Sequence, residues 1–205
     1  MKTNIYNVPG QDEHDVSKFG MWLFIFAELL LFGGLFIVYA AYRSKNPAAF
    51  KLAGNELELT VGIISTIILL ISSTTMAVSV TAIQKNNKKL SLLALVITIL
   101  LATTFLLYKY FEWGARINEG FLPDTSTLHE LGPGTILFFG LYFVMTGLHA
   151  LHILIGLLFI ICVFFRIIKN RINSENYHSF ENFGLFWHLV VLIWIFLFPL
   201  FYLIR

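Results

Sequence analysis

The run TILFFGLYFVMTGLHALHILIGLLFIICVFF, residues 135–165, contains no Asp, Glu, Lys or Arg. As a helix rising about 1.5 Å per residue it would be roughly 46 Å long, more than the ~30 Å hydrocarbon layer of a bilayer, so it is expected to cross the membrane with tilt or protrusion. Four further apolar segments, residues 19–42, 57–83, 90–113 and 183–204, are separated from it and from each other by charged, turn-rich gaps. Each is near or above the ~20 residues that a spanning helix needs. None shows the ~10-residue alternation of a barrel strand. The expected fold is all-α: a polytopic membrane protein in which residues 1–205 form a single membrane domain, a bundle of five transmembrane helices.

Composition agrees with this. Of 205 residues 58% are hydrophobic and 13% charged, about half the ~25% charge of ordinary globular domains. The net charge is +2 and no long basic run occurs, so no nucleic-acid partner is indicated. Cys162 is the sole cysteine, which excludes an intrachain disulfide framework or a thiolate cluster. Residues 1–17 are polar and include Asp12, Glu13 and Asp15, unlike the basic start of a cleavable signal, so the first apolar segment is expected to remain. Lys85, Lys88 and Lys89 crowd one short loop, whereas residues 119–130 are acidic. By the positive-inside rule the N-terminus is expected in the cytoplasm.

Small residues recur every seventh position in two segments: Gly20, Ala27, Gly34 and Ala41 in the first, Ser65, Ser72 and Ser79 in the second. Both stripes are expected to pack within the bundle, because lipid gives helices no hydrophobic reason to associate and close approach must do so. Pro199 is expected to kink the last helix. Lys109 and Glu112, three apart, read as an interfacial ion pair beside the aromatic belt of Tyr108, Tyr110 and Trp113. His129 and Glu130 are assigned to an outer loop, facing solvent or a partner.

Ionisable residues inside a bilayer are costly and mark function or a partner. Glu28 stands in LFIFAELL, residues 23–30, with no cation within one turn, so it requires protonation or a partner from another helix or subunit. His149 and His152 share one face of the fourth segment; Glu181, Gly184 and His188 share one face of the fifth. Three imidazoles near mid-depth admit three readings: interhelical hydrogen bonding, a metal or bis-histidine haem site using His188 with His149 or His152, and proton or ion passage. A carboxylate-bridged di-iron centre lacks its Glu-x-x-His pairs.

These motifs together resemble subunit III of haem-copper terminal oxidases, over nearly the whole chain and in order. GMWLFIFAE, residues 20–28, is similar to that family's opening helix with its buried glutamate. TGLHALH, residues 146–152, is similar to its Thr-Gly-x-His-Gly-x-His signature, and Glu181 with Trp187-His188 resembles its Glu-x6-His spacing. Five spans match the short bacterial form. Two positions depart: Ala150 stands where the family has glycine, and Val191 where it has aspartate, so no role of that carboxylate carries over.

The resemblance implies a non-catalytic subunit of a proton-pumping cytochrome c oxidase or quinol oxidase in the bacterial inner membrane. No metal, haem or other redox cofactor would be bound by this chain; haem and copper would sit in partner subunits. The expected partners are catalytic subunit I, subunit II and membrane phospholipid. Glu28 would support proton uptake; His149, His152, Glu181 and His188 would make interhelical, lipid or subunit contacts. The alternatives are an accessory subunit of a nitric-oxide reductase, to which the ending FLFPLFY, residues 196–202, is also similar, and an independent b-type electron carrier.

Overall fold

The computed structural model describes residues 11–122, 125, 128 and 131–204. His129 and Glu130 lie outside the described residues. The chain forms α1 (Gln11–Lys45), a short α2 (Pro47–Asn55), α3 (Leu59–Gln84), α4 (Lys88–Asn118), α5 (Pro133–Ile168) and α6 (His178–Phe198), which continues into a π-helical turn, Pro199–Leu203. Five of these helices are long and apolar enough to cross a membrane. All described secondary structure is helical.

Helices outrun the apolar segments because polar residues at the membrane surface still hydrogen-bond along the helix. α5 begins at Pro133, whose missing N–H costs nothing in a first turn. α6 begins five residues before the apolar run, through His178, Glu181 and Asn182. α2 was not expected. Pro47 opens it, and Phe50, Ala53 and Gly54 form its buried stripe, held against α5.

Four helices close a ring: α3 neighbours α4 and α6, and α5 neighbours the same two. α3 and α4 form a tight hairpin. Asn86 takes the left-handed conformation at φ 56°, which asparagine tolerates, and the Asn87 side chain accepts a hydrogen bond from the Leu90 N–H. Ser65, Ser72 and Ser79 are fully buried, as the second stripe required. Ser79 donates to the Ser91 carbonyl at 3.0 Å, and the indole N–H of Trp187 on α6 donates to Ser72 Oγ at 3.1 Å. At Gly156 of α5 a Cβ would lie 2.8 Å from the Trp187 ring. That glycine is what allows α5 and α6 to approach.

The stripe on α1 departs from expectation. Gly20, Ala27, Gly34 and Ala41 are all exposed, and nothing lies within 4 Å of a Cβ built at Gly20 or Gly34. The face that packs instead is Met21, Ile25, Glu28, Phe32, Leu35 and Tyr39, also spaced by four and three. Large side chains win because α1 sits outside the ring, over the seam of α5 and α6, where it must reach across a groove. Only 6% of its apolar window is buried, against 50% for α6.

Pro199 does not simply bend α6. The helix widens there, and the Leu200 carbonyl accepts a 2.8 Å hydrogen bond from the Tyr39 hydroxyl of α1. At the opposite end of the bundle, Lys88 Nζ donates to the Ile168 carbonyl at 2.9 Å and to Asn170 Oδ1 at 2.6 Å. The α3–α4 and α5–α6 connections therefore lie at the same end, as alternating spans require.

Candidate functional site

Glu28 finds its partner on α5. His152 Nε2 lies 2.9 Å from Glu28 Oε2, with side chains 11% and 13% exposed. His152 Nδ1 is 2.7 Å from the Leu148 carbonyl one turn back. A carbonyl only accepts, so Nδ1 carries the hydrogen and the opposite nitrogen faces the carboxylate. Two lone pairs facing each other at that distance repel, so the contact is favourable when a proton lies on either atom. The contact is close but bent: Oε2 is buried and receives no aligned hydrogen bond. Phe32 meets the imidazole edge-on with centroids 5.6 Å apart, closing it from one side.

The other candidates have separate environments. His149 is fully buried, lies stacked on Trp194 at 5.2 Å and meets Phe105 edge-on at 5.7 Å. Neither of its ring nitrogens has a hydrogen-bond partner among the described residues. His188 Nδ1 lies 2.7 Å from Ser73 Oγ, joining α6 to α3. Glu181, in the first turn of α6, lies 3.9 Å from His178 of the same helix and is 38% exposed. The structure thus brings Glu28 and His152 together, and gives His149, His188 and Glu181 different neighbours. Among the described residues no three His, Cys, Asp or Glu side chains are grouped as metal ligands.

A second polar cluster was legible only in part. Lys109 and Glu112 form the expected ion pair, but inside the bundle rather than at its surface: they are 1% and 9% exposed. Lys109 Nζ donates to Glu112 Oε2 at 2.6 Å and to the Tyr202 hydroxyl at 2.7 Å. Tyr202 in turn donates to Glu112 Oε1, and the ammonium sits 4.6 Å from the Trp194 ring centroid. The signal was present: Ser91, Leu95, Thr98, Ala102, Phe105, Lys109, Glu112 and Arg116 alternate by four and three, and all are buried. The ion pair stands at the end of a core stripe.

Residues 9–204 match the family described as cytochrome c oxidase subunit III. The chain belongs to that family. Relatives named probable quinol oxidase subunit 3 are similar along nearly all of both chains. That of Staphylococcus saprophyticus is 30% identical over 192 residues, covering 94% of this chain and 90% of its own length. Those of Staphylococcus haemolyticus and Staphylococcus aureus are 28% and 27% identical with the same coverage. This subunit III is accordingly a multi-pass protein of the bacterial membrane and part of a haem-copper oxidase complex. Neither the nitric-oxide reductase nor the independent electron carrier finds support in these matches.

Proposed function

We propose that this subunit III serves a quinol-oxidising, proton-pumping oxidase, assembling with catalytic subunit I and subunit II and steadying proton uptake by the catalytic subunit. The relatives' names support quinol as the donor. The proposed N-terminus is cytoplasmic, which puts the Lys85–Lys89 cluster on the inner face. Haem and copper are assigned to the partner subunits and none to this chain; His149, His188 and Glu181 are assigned to contacts between helices or with neighbouring subunits and lipid. Phospholipid would cover the bare outer face of α1.

The observation that carries the proton role is the Glu28–His152 contact at the rim of the bundle. A carboxyl group and an imidazole 2.9 Å apart and partly exposed are placed to pass a proton between them with little movement. Glu28→Gln keeps the shape and removes the ionisable group. The variant complex is expected to assemble and to inactivate faster per turnover than the parent. Unchanged inactivation kinetics would leave Glu28 a structural residue. Purification in mild detergent, identification of the co-eluting chains and an absorbance spectrum test the assembly. A Soret band retained by the isolated chain and abolished by His188→Ala would overturn the assignment of haem to the partners.

A further inference from the structure

We infer that the groove beside Glu28 and His152 is a binding site for an isoprenoid quinol, separate from any site in the catalytic subunit; this rests on the reading of the complex as a quinol oxidase. The groove, about 440 Å³, lies between α1, α5 and α6, with Glu28 and His152 in its lining and Phe24, Phe159, Phe183 and Phe186 along its walls. The rings form a continuous set, with centroids 5.8 Å apart for Phe24 and Phe186, 5.6 Å for Phe183 and Phe186 and 5.2 Å for Phe159 and Phe183. An apolar, aromatic cavity with a few convergent polar groups is the usual form of a small-molecule site.

Depth selects the ligand. The spanning part of α1 has 28 residues, starting at Lys18, so it is about 42 Å long and about 6 Å of each end stands beyond the ~30 Å hydrocarbon layer. Glu28 then lies about 9 Å below the boundary. A phospholipid headgroup stays at the boundary, and its acyl chain has no donor to offer a carboxylate at that depth. A hydroquinone carries hydroxyl donors on an uncharged ring with an apolar tail. Its ring can stack on the phenylalanines, and a hydroxyl can donate to Glu28 Oε1, the carboxyl oxygen that does not face His152. The tail leaves along Phe24 and Phe159 toward lipid.

The test uses the whole oxidase complex in mild detergent without oxygen, photolabelled with an azido-hydroquinone bearing a decyl tail. Label is expected within residues 21–28 and 155–186 of this chain. Excess unlabelled decylhydroquinone should suppress it about tenfold and phosphatidylglycerol should not; Glu28→Leu should lower it about tenfold, the weight of one charge-assisted hydrogen bond. Label confined to other chains, equal competition by phosphatidylglycerol, or undiminished labelling of Glu28→Leu would each overturn the inference. If the Glu28→Leu chain fails to assemble, the competition in the parent complex decides. Failure of the chain to co-purify with a haem-copper subunit would instead refute the reading of the complex.

Discussion

Lys109 on α4 donates to the Tyr202 hydroxyl on the π-helical turn at 2.7 Å, with Glu112 accepting from both. Lys109 is 1% exposed, and the carboxylate, the phenol and the Trp194 face together replace the hydration of its ammonium.

Breaking that unit from one side leaves a buried charge without its counterpart. Lys109→Met is expected to cost about 3–5 kcal/mol, read as a lower midpoint for thermal unfolding in detergent. The double variant Lys109→Met, Glu112→Leu should recover most of the loss, because no charge is then stranded. A double variant as unstable as the single one would show that the pair contributes chiefly through shape.

Gly156 and Gly34 should respond oppositely to the same added methyl. Gly156→Ala drives a Cβ to 2.8 Å from Trp187 and is expected to cost about 1–3 kcal/mol through overpacking. Gly34→Ala meets open space, and alanine's better helix propensity makes the isolated subunit equal or slightly more stable, by up to about 1 kcal/mol. Paired melting curves of the two purified variants check both signs.

Ser72→Ala removes the acceptor of the Trp187 indole N–H while keeping the small volume that lets α3 and α6 meet. The unpaired buried donor is expected to cost about 1–3 kcal/mol. The tryptophan emission maximum of the folded variant should stay close to that of the parent, because burial of the ring is unchanged; a large red shift would mean that the helices had parted.

His152→Phe is expected to speed turnover-dependent inactivation as Glu28→Gln does, since either change removes one member of the ionisable pair. The two together should be no worse than the more severe single variant. Additive rates in the double-variant complex would mean that the residues act separately.

The spans were legible because hydropathy and length alone decide them. Side choice was legible only where periodicity and burial coincide. On α3 the serine stripe and the packed face are the same face. On α1 two heptad stripes compete, small residues and large ones, and periodicity ranks neither; the large one packs because α1 lies across a seam rather than inside the ring. On α4 the core stripe could have been followed through Lys109 to Arg116, but charge suggested the membrane surface, and the opposing Tyr202 comes from a turn that only the fold places there. α2 was hidden by its nine residues, too few to be stable without α5. The need for a partner at Glu28 was readable, and TGLHALH held the answer; that His152 rather than His149 reaches it follows from which face of α5 looks outward.

The placement of α1 has a consequence for biosynthesis. α1 has its main seats on α5 and α6, which are made after it, so it enters the bilayer before those helices can hold it. Until α5 arrives, Glu28 lacks its imidazole, and protonation or a neighbouring chain must offset its burial in lipid. Final closure of this subunit is therefore a late event, timed by the emergence of its C-terminal half.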